Sequence, residues 1–347
     1  MPSITKRDRL LATMAGQTVD RPAIALWRHF PGDDQRAEDL AAAQIAFQRR
    51  YDFDLMKVSP ASSFCVEDWG VQDRYLGSLE GTREYYHYPV ASPEDWRRLP
   101  VLDPTQGALG RQLRCLEIIG QELCQQPDIV PFVQTIFSPL AQAKNLAGAE
   151  QMLILMRQDA DAFKAGLETI TQTTIAFLEA AKRTRIAGIF YAVQHARYAL
   201  MSEAEYREFG VPYDRWILEH LDGTWFNMLH IHGQNIMFDL LADYPVQAIN
   251  WHDQETPPSL KEAMDRTDKV LVGGLGRIET MMRGTPDDVR AKVTDAMAQT
   301  EGKRFILGVG CVTMIVTPWG NIAAARRAVE GSAGVKSFDG RRTVRDE

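Results

Sequence analysis

The residues with the clearest chemical potential are His230 and His232, within Phe226-Asn-Met-Leu-His-Ile-His-Gly233. This stretch reads as a buried strand ending at Gly233, and residues two apart on a strand point to the same face. Both imidazoles are then expected side by side where the strand stops. Far downstream, Arg304-Phe-Ile-Leu-Gly-Val-Gly-Cys311 reads as a second buried strand that delivers a thiol just past its end. Two histidines and a cysteine form a three-ligand set of the kind zinc takes in catalytic sites, where a fourth position stays open for water or substrate. A hydrogen-bonded core pair of histidines is the competing reading, and the choice rests on where these residues fall in the fold.

The chain alternates short apolar stretches with helical ones. An opening helix over 4–16, capped by Thr5, precedes strand Arg21–Trp27; a helix over Asp39–Tyr51 precedes strand Phe53–Ser59. The pattern is lost from 60 to 104, an insertion expected to act as a lid or a substrate-contacting excursion. Alternation then resumes: helix 107–126 and strand Ile129–Ile136, helices over 138–183 and strand Ala187–Gln194, one helical stretch from Ser202 to His220 and the His230 strand. Helix 234–243 precedes Gln247–His252, helix 259–266 precedes Lys269–Leu275, helix 285–300 precedes Arg304–Gly310, and a helix over Asn321–Glu330 closes the series. Eight apolar strands each followed by a helix predict an α/β fold, a (β/α)8 TIM barrel over 1–331, because parallel strands need crossover helices and eight of them close the sheet. A doubly wound open sheet is the alternative, without a glycine-rich phosphate turn after the first strand to favour it. Residues 332–347 read as a polar tail.

In such a barrel, active residues sit at the C-terminal ends of the strands. Those ends supply Arg28 and His29, Ser59, Gln194 and His195, His230 and His232, His252 and Asp253, Arg277 and Cys311, which include five of the chain's seven histidines. That clustering favours a metal or acid–base site. Asp54 and Glu67-Asp68 are expected in solvated or helix-capping roles, and the aromatic residues of the insertion mainly in packing against the barrel rim.

Composition narrows the function classes. A net charge of -7 with no long Lys/Arg run argues against nucleic acid or an anionic membrane as partner, and no apolar run approaches the ~20 residues of a bilayer span. The charged N-terminus has no apolar signal core behind it, so a cytoplasmic protein is expected. The four cysteines, Cys65, Cys115, Cys124 and Cys311, show no disulfide or zinc-knuckle spacing.

The sequence resembles the uroporphyrinogen decarboxylase superfamily along nearly its whole length. The resemblance is carried by Arg7-Asp-Arg-Leu-Leu-Ala with Asp20-Arg21-Pro22 and Trp27-Arg28, by Phe137-Ser-Pro-Leu with Leu146-Ala-Gly148, and by Tyr206-Arg-Glu-Phe209 with Pro212-Tyr213. Val272-Gly-Gly-Leu275 and Thr317-Pro318 with Asn321-Ile322 complete it. It implies a barrel fold and divides into two activities. In the decarboxylase branch, Arg28 matches an arginine that binds substrate carboxylates, but Gly308-Val-Gly310 stands where that branch has Gly-His-Gly, and His29-Phe-Pro-Gly32 replaces a Gln-Ala-Gly-Arg run. In the cobalamin-linked methyltransferase branch, zinc is held by a His-x-Cys and a distant Cys. His230-x-His232 falls on the first of these motifs and Cys311 on the second, with histidine replacing one cysteine. One thiolate fewer leaves the site nearer a net +1 and the metal a stronger Lewis acid.

The resemblance therefore implies a zinc-dependent methyltransferase working between a corrinoid and a small molecule, with His230, His232 and Cys311 as ligands. His252 and Asp253 are expected to orient substrate or support the ligands. Arg28, His29, Gln194, His195 and Arg277 are expected to contact substrate, a salt bridge being the alternative for Arg277 and a hydrogen-bonded barrel position for His195. A corrinoid protein is the implied partner, and a homodimer the implied assembly. The alternatives are a metal-independent decarboxylase of uroporphyrinogen or another polycarboxylate, which needs a cationic cleft around Arg28, and a corrinoid or tetrapyrrole carrier.

Overall fold

Eight buried parallel strands form the centre of the molecule. In the computed structural model, which describes residues 4–125 and 128–331, they are β1 (Ala23–Ile24), β2 (Met56–Val58), β3 (Phe132–Phe137), β4 (Gly188–Val193), β5 (Met228–Ile231), β6 (Ala248–Trp251), β7 (Val270–Leu275) and β8 (Phe305–Val309). The sheet runs β1-β8-β7-β6-β5-β4-β3-β2, so from β2 onward each strand pairs with the next in sequence, and β1 pairs with the last. This is the order of the expected TIM barrel, with helices between successive strands. The tail predicted for 332–347 lies outside the described residues.

The seam between β1 and β2 is closed by Asp54. Its N–H donates to the Ile24 carbonyl at 2.9 Å, and its carboxylate accepts from the Ile24 N–H at 2.9 Å. Arg9 and Arg21 each pair with this fully buried carboxylate at 2.7 Å. The Arg7-Asp-Arg and Asp20-Arg21 segments are thus part of the barrel floor, and Asp54 is neither solvated nor a helix cap.

The insertion over 60–104 is more ordered than the sequence suggests. It contains an antiparallel pair, Gln72–Arg74 with Glu84–His87, and a helix, Pro93–Arg98. Trp96 is fully buried edge-on to Phe163, with ring centroids 5.2 Å apart. Asp68 caps the next helix, Gly107–Leu123, by accepting from the Ala108 N–H at 2.9 Å. The stretch expected as one helix from Ser202 to His220 is two, Glu203–Phe209 and Val211–Leu218, joined at Gly210. Pro212 opens the second, where its missing N–H costs nothing. Among the described residues no helix is long and apolar enough to cross a membrane.

Candidate metal centre

The register of β5 against β6 builds the site. His230 pairs with Asn250 and Asn250 with Val272, so these side chains share one level of the barrel interior. Two residues further on, His232 and His252 share the level above, at the C-terminal mouth. Cys311 reaches them from β8 because Gly310 lets that strand approach closely. A Cβ at 310 would stand 2.8 Å from the His252 Cα.

One potential ligand atom from each of His230, His232, His252 and Cys311 lies within 4.8 Å of all the others. His232 Nδ1 is 3.3 Å from His252 Nε2 and 3.8 Å from Cys311 Sγ. Nitrogens at zinc bond lengths around a tetrahedral ion are ~3.3–3.4 Å apart, and nitrogen and sulfur ~3.5–3.6 Å apart. The His232–His252 separation fits a shared divalent ion closely and the His232–Cys311 separation slightly loosely.

The tautomers fit as well. Asn250 donates its Nδ2 hydrogens to the carbonyls of Val272 and Val309, at 2.8 and 2.9 Å. Its Oδ1 is therefore the atom facing His230 Nδ1 at 2.7 Å and must accept from it. The lone pair of His230 is thereby placed on Nε2, a buried atom with no hydrogen-bond partner among the described residues. His252 Nδ1 faces a carboxylate oxygen of Glu255 at 3.2 Å and donates to it, which again leaves the lone pair on Nε2, the atom facing His232. Burial holds His230 well below its ordinary range, His232 down at about 3, and His252 lowered, so all three imidazoles are neutral, as metal ligands must be. Burial pushes the Cys311 thiol up to about 11. His230 and His252 are buried while His232 and Cys311 are partly exposed, so the cluster opens on their side.

The sequence reading assigned His252 to orientation; the structure brings it into the cluster as a fourth donor. Arg277 is salt-bridged, from Nε to Glu255 at 2.9 Å and from Nη1 to Glu80 at 2.6 Å. Glu80 lies in the insertion, which is therefore tied through Arg277 and Glu255 to His252. Gly81 beside it packs on His29, a Cβ there falling 2.7 Å from the His29 Cβ. His29 itself is held down at about 3 by burial and by Lys57.

The remaining predicted residues are not among the four grouped donors. The Arg28 guanidinium sits 5.2 Å from the centre of the Phe30 ring, in a groove with Phe47, Arg50, Tyr51 and Trp319. Asp253 accepts from the Gly274 N–H at 2.9 Å and from Gln254 at 2.8 Å, and burial pushes its carboxyl up to about 6. Gln194 accepts from Lys144 at 3.2 Å. His195 is buried, held down at about 3, with Nδ1 unpartnered among the described residues.

Sequence reasoning passed over Asn250, Glu255, Glu80, Lys57 and Lys144. Lys57, on β2, is 5% exposed; its Nζ donates to Ser59 at 3.1 Å and lies 4.7 Å from the centre of the Phe190 ring. Phe190 in turn stacks on His230 at 5.1 Å.

Residues 5–332 match the family described as Uroporphyrinogen decarboxylase (URO-D). Among curated relatives, a methylated-thiol–coenzyme M methyltransferase of Methanosarcina mazei is 26% identical over 327 residues, 91% of this chain and 82% of that protein. A methylcobamide:CoM methyltransferase of the same organism is 23% identical over 346 residues, 93% of this chain and 96% of that one. The solved structure of a methyltransferase from Methanosarcina mazei superposes with a TM-score of 0.81 at 20% identity, covering 95% of this chain and 99% of that one.

Proposed function

The chain belongs to the uroporphyrinogen decarboxylase family, and within it we propose that it is a zinc-dependent methyltransferase moving a methyl group between a corrinoid and a small molecule. The observation that carries this reading is the set of four donor atoms within 4.8 Å, two of them with tautomers fixed from behind by Asn250 and Glu255. The M. mazei relatives, named as methylated-thiol and methylcobamide methyltransferases, favour methyl transfer over decarboxylation. The decarboxylase alternative asked for a cationic cleft around Arg28; the groove that Arg28 shares with Arg50 is otherwise lined by apolar and aromatic side chains, Phe30, Phe47, Tyr51 and Trp319 among them.

His230, His232 and Cys311 are the residues that would hold the ion, and His252 Nε2, 3.3 Å from His232 Nδ1, stands at the fourth position, where substrate would enter. Bound there, zinc would lower the pKa of a thiol or similar acceptor so that its anion exists near neutral pH. The protein's own contribution is positional. Asn250 and Phe190 fix the His230 ring, and the surrounding apolar barrel wall keeps the three imidazoles neutral. His252 is assigned to face the substrate, because of the four side chains it is the one coupled through Glu255 and Arg277 to Glu80 of the insertion. A corrinoid carried by a partner protein would approach the open side, where His232 and Cys311 are partly exposed.

Metal analysis of freshly purified protein tests the proposal. Near-stoichiometric zinc, lost in Cys311→Ser and in His230→Ala but kept in a His252→Ala variant that no longer turns over, is the expected result. A folded protein that takes up no metal and transfers no methyl group from methylcobalamin refutes it.

A further inference from the structure

Two guanidinium groups share a groove on the outside of the barrel, between the helix Ala37–Tyr51 and the start of the last helix, Trp319–Gly331. The groove has a volume of about 220 Å³, and its lining includes Arg28, Phe30, Phe47, Arg50, Tyr51 and Trp319 but none of the four grouped donors. Arg28 lies over Phe30, whose ring packs edge-on against Phe47 at 5.9 Å, so its side chain is directed to the helical layer and not to the barrel axis.

The arginines around this pair have acids. Arg49, next to Arg50, meets Glu122, and Arg326 of the last helix meets Asp52 and Glu330. Among the described residues neither Arg28 nor Arg50 has an ion pair. Each lies on aromatic faces instead, Arg28 at 5.2 Å from the centre of Phe30, and Arg50 at 3.6 Å from that of Trp319 and 5.7 Å from that of Tyr51. A stacked guanidinium keeps its N–H groups in its own plane, free for an acceptor at the edge. Arg28 commits only Nε, which donates to the His29 carbonyl at 3.2 Å.

Tyr51 adds a third donor. The residue is 5% exposed, and its buried Oη has no hydrogen-bond partner among the described residues. Burial raises the phenol above its ordinary range, so it keeps its proton. A guanidinium can only donate, so neither arginine can take that proton, and leaving a buried hydroxyl unsatisfied lowers stability. Two fixed positive charges and one orphaned donor on a single groove call for a ligand group with about two negative charges and several oxygens, which a phosphate monoester supplies. Phe30 and Phe47 offer an apolar wall to its organic body, and a cavity of ~150 Å³ already accommodates a benzene ring.

We propose that this groove binds an organic phosphate monoester, its phosphoryl group held by Arg28, Arg50 and the Tyr51 hydroxyl and its apolar body set against Phe30 and Phe47. The site is separate from the donor cluster and stands whether or not that cluster transfers methyl groups.

The test is calorimetric titration of the full chain, zinc-loaded and metal-stripped, with phenyl phosphate, inorganic phosphate and benzyl alcohol. Phenyl phosphate should bind saturably, at least about tenfold more tightly than either of the other two, and equally in both forms of the protein. Arg28→Ala and Arg50→Ala should each weaken it about tenfold or more, the scale of a charge-assisted hydrogen bond. Arg50 is exposed, so its variant keeps the test open if Arg28→Ala does not fold. Tyr51→Phe should weaken binding about threefold or more without lowering Tm, because the hydroxyl it removes has no partner; a lower Tm removes Tyr51 from the site. No saturable binding below about 10 mM, equal affinity for phenyl phosphate and benzyl alcohol, or a folded arginine variant with unchanged affinity overturns the proposal. Inorganic phosphate bound as tightly as phenyl phosphate overturns the organic body. Binding that disappears with the metal places the phosphate at the donor cluster and overturns the separate site, leaving the zinc reading intact.

Discussion

Asn250 offers the sharpest test of how the cluster is built. It is fully buried and touches no proposed substrate position, yet it sets the hydrogen on His230 Nδ1 through a 2.7 Å contact. Replacing it with alanine removes that acceptor and the two donations to Val272 and Val309. Loss of such a ligand-orienting partner typically weakens metal affinity about 10- to 100-fold, or ~1.4–2.7 kcal/mol. The fold loses three buried hydrogen bonds at ~0.5–1.5 kcal/mol each, so Tm should fall and affinity must be measured well below it. Zinc affinity would be read by competition with a chromophoric chelator, with near-ultraviolet circular dichroism confirming the fold. The decisive comparison is a double-mutant cycle. If Asn250 acts through His230, Asn250→Ala should change affinity by less than about twofold once His230 is already alanine. An equal loss in both backgrounds, or a folded single variant with undiminished affinity, refutes the argument.

Asp54→Ala should destabilise the barrel by ~3–5 kcal/mol in urea unfolding, because two guanidinium groups lose the buried carboxylate between them. The folded fraction should keep its full zinc content; a loss of metal would show that the floor and the mouth are coupled. Zinc binding should release one proton near pH 7.5, since the Cys311 thiol, pushed up to about 11, must ionise while the three lowered imidazoles are already neutral. Apparent affinity should then rise about tenfold per pH unit between roughly pH 6.5 and 9, and a flat profile by calorimetry would remove Cys311 from the set. Glu80→Gln cuts the tie between Arg277 and the insertion at a partly exposed ion pair, with an expected stability change of ~1 kcal/mol or less. Hydrogen exchange over 72–87 should nonetheless accelerate while zinc content stays unchanged; unaltered exchange would argue against the insertion being held through Arg277.

The barrel was legible because parallel strands covered on both faces read as continuous apolar runs, and each of the eight was recognisable as one. Their lengths were less so. Arg21–Trp27 reads as seven strand residues, but only Ala23–Ile24 form a ladder, because on the β2 side the partner is the backbone and carboxylate of Asp54. The hairpin in the insertion gave no signal: Gln72–Arg74 and Glu84–His87 lie on the surface and carry no alternation of apolar residues. The break at Gly210 was hidden because helical spacing continues across it, although Pro212 marks a first turn.

For the site, taking strand ends as a filter gathered His230, His232, His252 and Cys311, but it admitted neighbours that strand geometry separates. Adjacent residues on a strand point to opposite faces, so of His252 and Asp253 only one can look into the barrel. His252 does, while the Asp253 carboxylate lies against Gly273 and Gly274 of β7. Arg28 and His29 divide in the same way, His29 towards Lys57 and Arg28 over Phe30. The missed residues had a usable mark: Lys57 and Asn250 are polar interruptions of strands that are otherwise apolar. A polar side chain there must face either the axis or the helical layer. Gln134 on β3 takes the second course, accepting from Gln112 of the helix Gly107–Leu123 at 2.8 Å. An amide can satisfy itself in that layer, whereas a lysine needs an anion or water and a histidine needs a partner for each nitrogen. A lysine or histidine interruption thus belongs at the axis, a criterion that selects Lys57 together with His230 from the sequence but not the amide Asn250, whose place follows only from its register with His230.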